Sequence, residues 1–130
     1  MQFRYQIHSA RRLIVVRFRG RVGLQEVVSG VRQLWADPGY RADFDGVVDL
    51  DSVTTKAGVS DLRDLVDFLR QHNGSRGRWV AVFSEPKPTA LGLLFKAANT
   101  LPITFEVVST WEAACRHLHI DPASFQPGTN

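Results

Sequence analysis

At 130 residues, with 44% hydrophobic and 22% charged side chains, the chain has the make-up of one globular domain rather than a disordered segment. Its longest apolar runs, Leu13 to Val16 and Trp79 to Phe83, are strand-sized, so no transmembrane segment is expected, and no signal-peptide pattern is present. The single cysteine, Cys115, cannot close an internal disulfide, which suits a reducing, cytoplasmic setting.

The net charge of +3 is unevenly spread. The first 21 residues hold Arg4, Arg11, Arg12, Arg17, Arg19 and Arg21 and no acid, whereas 22–75 carries Glu26 and eight aspartates. A basic patch attracts phosphates. Charge on a strand pair also protects against edge-to-edge association. The second explanation is preferred, and no nucleic-acid partner is expected.

Phe3 to Ile7 alternates with period two and reads as a strand, and Leu13 to Phe18 is its antiparallel return. Leu24, Val27, Val28, Val31, Leu34 and Trp35 follow helical spacing, and Gly30 among them allows close packing on a sheet. Asp37-Pro38-Gly39 stops this helix. The strand within Phe44 to Leu50 then runs into an acidic, hydroxyl-rich stretch expected to be a loop, Asp51 to Ser60. Val59, Leu62, Leu65, Val66 and Leu69 predict a second amphipathic helix, with Ser60 or its predecessors as cap.

Trp79 to Phe83 is apolar without a break, as in a central parallel strand covered on both faces. A third helix is expected between Pro86 or Pro88 and Pro102. Leu91, Leu94, Phe95 and Ala98 form one apolar stripe on it, and Ala90, Leu93 and Ala97 form a second. Ile103 to Val108 reads as an edge strand. Ser109-Thr110-Trp111-Glu112 reads as a capping box for a last helix that buries Trp111, Ala114, Cys115 and Leu118. The order β-β-α-β-α-β-α-β-α predicts an α/β fold with a five-stranded mixed sheet, the first strand antiparallel and the rest mainly parallel, and four main helices. Residues 1–120 form one domain, and 121–130 a flexible tail.

Val48-Asp49-Leu50-Asp51-Ser52-Val53-Thr54, set in this order of elements, resembles the STAS family (sulfate transporter and anti-sigma-factor antagonist domains), and more closely its SpoIIAA-like stand-alone bacterial branch. Arg12 to Val22, Asp37-Pro38-Gly39-Tyr40 and Trp111-Glu112-Ala113-Ala114 share in the resemblance, which spans about residues 3 to 119. It implies a non-enzymatic interaction module. Antagonists of this family bind a partner kinase and are switched off by phosphorylation of a serine opening the second helix. Aligned on Val53-Thr54, that serine falls on Gly58, so the usual switch is missing, and Ser60 is the nearest substitute phosphosite.

Other chemistry is thinly represented. Asp49 and Asp51 could pair for acid/base work or a cation, but no third ligand has suitable spacing, and Asp49 is expected to accept hydrogen bonds from strand-end amides. His8, His72, His117 and His119 form no zinc pattern, and Cys115 reads as a small core hydrophobe. No cofactor, metal or catalytic residue is expected.

The expected function is a module that binds a protein partner or a second copy of itself. Its surface would combine Asp51, Ser52, Thr54, Thr55, Lys56 and Ser60 with Ser84 and Glu85, and with Leu93, Lys96 and Ala97 of the third helix. The alternative is a small-molecule or lipid-binding protein with an apolar pocket beside that helix. A cavity there would favour the alternative.

Overall fold

A computed structural model describes residues 2–72, 76–83, 85–98 and 104–121. The strands are β1 (Gln2–His8), β2 (Leu13–Arg21), β3 (Asp45–Thr54), β4 (Arg78–Val82) and β5 (Thr104–Val108). The helices are α1 (Leu24–Trp35), α2 (Val59–His72), α3 (Pro86–Ala98) and α4 (Trp111–Leu118). The sheet order is β1-β2-β3-β4-β5, with β1 antiparallel to β2 and every other pair parallel. The architecture is the one expected, because three helices separating four strands force parallel crossovers. All but Asp121 of the expected tail lies outside the described residues.

The sheet separates two cores. Ile14, Val16, Phe18 and Trp79 point toward α1, joined by Val22, Leu34 and Val53. Leu13, Val15, Val47, Val80 and Val82 point the other way, toward Ala114 and Leu118 of α4. Strand β4 is buried on both faces, as its unbroken apolar run predicts. α3 packs on β3 and β5, and α2 packs between α1 and α3. The α1–α2 joint is closed by Trp35 stacked on Phe68, ring centroids 5.6 Å apart, with Arg32 over the same ring.

Local polar contacts fix the register. Asp45 accepts the Arg78 backbone N–H at 2.9 Å and its Nη2 at 2.7 Å, tying the start of β3 to β4. Asp37 accepts the Gly39 N–H and the Tyr5 hydroxyl, both at 2.7 Å, which holds the Asp37-Pro38-Gly39 turn against β1. The tyrosine hydroxyl holds the Asp37 carboxyl below its ordinary range, with the Gly39 amide acting in the same direction.

Four expectations are corrected. Strand β3 does not end at Leu50. It continues to Thr54, because Ser52, Val53 and Thr54 pair with Arg19, Gly20 and Arg21 beyond a bulge. At that bulge Phe18 of β2 faces two residues of β3, Leu50 and Asp51. Second, of Ser60 and its predecessors, the expected caps of α2, Ser60 is not the cap. It lies inside the first turn, and Asp61 accepts from the Gly58 N–H at 2.8 Å. Val59, placed on the buried stripe by its spacing, is 53% exposed. Third, the inward face of α3 is Leu91, Gly92 and Phe95, and Leu94 is 46% exposed. Hydrophobicity cannot set the rotation of a helix apolar on most sides. Gly92 does, since a Cβ there would lie 2.2 Å from the Phe83 ring. Fourth, the cap of α4 is Thr110, whose Oγ1 accepts from Ala113 N at 3.1 Å, so the capping-box register is displaced by one residue.

Trp79 lies across the sheet so closely that a Cβ on Gly46 would sit 2.4 Å from its ring. Gly46→Ala is expected to displace Trp79 and destabilise the domain by about 1–3 kcal/mol. Gly58→Ala, with nothing within 4 Å of the new atom, should change stability by less than about 1 kcal/mol. Urea unfolding of the two variants checks the contrast.

Candidate functional site

Because α1 and α2 lean on each other, the first face of the sheet is not filled. A cavity of about 340 Å³ lies between that face and the three helices α1, α2 and α3. Val16, Phe18, Val48, Leu50, Ala81 and Phe105 form its floor. Leu62, Leu65 and Leu69 of α2 form its roof, spaced to share one helix face. Val27 and Val31 of α1 close one side, and Leu91 and Phe95 of α3 the other. The Phe95 and Phe105 rings meet edge to face at 4.8 Å where α3 joins β5.

The polar side chains in this wall are Thr55, Asp61, Arg70 and the indoles of Trp35 and Trp79. Thr55 and Asp61 belong to the loop and first turn at one end of α2, and Arg70 to its last turn. Thr55 Oγ1 accepts from the Ala57 N–H at 3.0 Å. The Trp79 Nε1 is buried with no hydrogen-bond partner among the described residues. The wall thus offers apolar contact along its length, with polar groups at its two ends.

The residues proposed from sequence fall into separate places. Asp51, Ser52 and Thr54 are exposed on the extension of β3. Thr55 lines the cavity, whereas Lys56 and Ser60 are exposed beside it. Glu85 is exposed after β4, at the same end of the sheet, because β3 and β4 are parallel. Ser84 lies outside the described residues. Leu93, Lys96 and Ala97 are exposed on α3, but Lys96 and Ala97 occupy its last turn. That helix runs back toward the amino ends of the strands, so these two are not brought together with Asp51 or Glu85.

Spacing marked Leu62, Leu65 and Leu69 as apolar but could not distinguish packing from the lining of a space. Asp49 behaves as expected, its Oδ1 accepting from the Asp51 N–H at 3.1 Å. Its other oxygen pairs with Arg17 Nε at 3.2 Å. Cys115 is buried, and burial pushes its thiol pKa up, with Glu112 and Asp121 adding in the same direction. Among the described residues no group of three or more His, Cys, Asp or Glu side chains could hold a metal ion. No helix among them is long and apolar enough to cross a membrane.

No protein-family model matches the chain, and no curated protein matches it. Among solved structures it is similar to an uncharacterized protein of the DUF3478 family from Shewanella loihica PV-4, described as having a SpoIIAA-like fold. The two share 8% identity over 82% of this chain and 83% of the other, with a TM-score of 0.54. The fold is SpoIIAA-like. At this identity the likeness speaks for the fold alone, and it agrees with the STAS-like order of elements.

The α3 wall of this SpoIIAA-like domain is held to β5 by Lys96, which donates to Glu106 Oε1 at 2.6 Å. That bond holds the Glu106 carboxyl below its ordinary value of 4.5, against the opposing effect of burial. A depressed folded-state pKa gives stability that is present above the unfolded value and lost as pH falls through the folded one. Glu106→Gln should therefore lower the stability at neutral pH by at most about 1 kcal/mol for so exposed a pair, seen as a lower melting temperature. The difference should shrink as pH falls below the ordinary value of 4.5 and vanish once Glu106 is protonated in the folded state too. Thermal melts over a series of pH values from neutral to acid check this.

Proposed function

We propose that this SpoIIAA-like domain is a cytoplasmic, non-enzymatic binding module whose ligand is a small apolar molecule held beneath α2. The cavity of about 340 Å³ carries this reading. A cleft lined almost wholly by apolar side chains takes up apolar ligands, because the lining lacks contacts that a ligand restores. Its volume is near the lower end of ligand pockets. That size suits one short chain or a small ring system and not a two-chain lipid. The wall places no nucleophile beside a base along its length, so it supports binding rather than turnover.

A neutral apolar fluorophore, N-phenyl-1-naphthylamine, should bind saturably at one site with a blue-shifted emission. Leu65→Trp puts an indole into the space and should weaken that binding by about tenfold or more while the domain stays folded. Absence of saturable binding by the unmodified protein, or full binding by the folded variant, would sink the proposal.

A second reading, association through α3 with a protein partner or another copy of the chain, is favoured by one observation. Leu93 is 51% exposed and Leu94 46% exposed, side by side on a helix whose inner face is already satisfied. Leu93→Glu should reduce self-association in sedimentation velocity runs without changing the melting temperature. Unfolding of that variant would instead assign Leu93 to the core.

A further inference from the structure

The face of the sheet opposite the cavity carries a row of arginines. Arg17 and Arg19 alternate along β2 on the side of Leu13 and Val15, and Arg21 follows, exposed, beyond Gly20, whose φ of 85° departs from strand geometry. Antiparallel pairing sets Arg4 and Gln2 of β1 opposite Arg17 and Arg19. Parallel pairing sets Asp49, Ser52 and Thr54 of β3 opposite Arg17, Arg19 and Arg21 on their other flank. α4 covers Leu13 and Val15, at the start of β2. Farther along, Gln2, Arg4, Arg19, Arg21, Ser52 and Thr54 are all exposed. The acids of this region are Asp49, paired with Arg17, and Asp51 at the bulge, so cations outnumber anions.

Protection of a sheet edge does not account for this row. An edge needs charge on the outer strand, β1, whereas three of the arginines lie on β2, which is hydrogen-bonded on both sides. Arg4 and Arg17 also stand directly opposite each other, a like-charge placement that edge protection does not require.

We propose that this arginine face docks an extended acidic segment of a partner protein. Alternate residues of a strand repeat every ~6.7 Å, so glutamates or aspartates at alternate positions of an extended peptide match the arginine spacing. The guanidinium fork pairs with a carboxylate through two parallel hydrogen bonds. Gln2, Ser52 and Thr54 supply further donors and acceptors at the flanks. Among the described residues of this exposed stretch there is no Phe, Tyr or Trp on which bases would stack, which disfavours single-stranded nucleic acid. There is no exposed apolar side chain to enter a bilayer either.

The test is fluorescence anisotropy with the full chain and a labelled ten-residue peptide alternating glutamate and serine. Saturable binding that weakens with added NaCl is expected, tighter than for the same residues arranged as a glutamate block and a serine block. Arg19→Glu combined with Arg21→Glu should weaken it about tenfold or more. Arg63→Glu, exposed on α2, should leave it unchanged, and so should Leu65→Trp, which separates this surface from the cavity. Circular dichroism checks folding. If the reversed pair does not fold, Arg19→Gln with Arg21→Gln takes its place and must weaken binding measurably. No saturable binding, equal binding by the folded variant, or tighter binding of a ten-nucleotide oligothymidylate or of phosphatidylserine vesicles would overturn the proposal.

Discussion

A five-stranded sheet with strands about 4.8 Å apart is roughly 20 Å wide, and an eight-residue helix is only about 12 Å long. One such helix, α4, is all that the described residues place on the second face of this sheet, while α1, α2 and α3 share the first. This unequal cover shapes both candidate surfaces. On the second face the short helix packs mainly on β4 and β5 and shares a buried cluster with Leu13 and Val15 at the start of β2, and the far end of β2 stays exposed. Polar and cationic residues occupy the positions it cannot reach.

On the first face the constraint is the reverse. Three helices must fit above a twisted sheet while also packing on each other, and the contacts of α2 are mainly with its helical neighbours. The aromatic joint of Trp35 and Phe68 holds α1 and α2 together. Trp79 and the phenylalanines rise from the floor, and the leucines of α2 stop short of filling the space between. Interiors normally pack at crystal-like density, so a half-open apolar space of this size marks a place where the sequence leaves dispersion contacts for something else to make.

Some of the site was readable in the chain. The acidic carboxyl end of β3 and the adjacency of the β3 and β4 loops followed from strand order alone. The bulge did not, because Asp51-Ser52-Val53-Thr54 looks like a loop by composition, and its strand character comes from pairing with Arg19 to Arg21. The rotation of α3 was also hidden, since Leu91, Leu93, Leu94 and Phe95 are equally apolar, and the decisive residue is Gly92 against Phe83. The apolar stripe of α2 was visible at Leu62, Leu65 and Leu69, but periodicity reports which side is apolar and not how far away the opposing wall stands.

The residues by themselves determined the order of elements, the direction of each strand and the two-sided burial of β4, because these follow from local periodicity, turn chemistry and the reach of short connections. They also settled that Arg17 and Arg19 of β2 lie on one side, through the period of two. Only the tertiary structure decided that none of the described residues covers this side there and that the other borders a cavity. Both depend on the distance between layers, which is set by how helices far apart in sequence lean on one another.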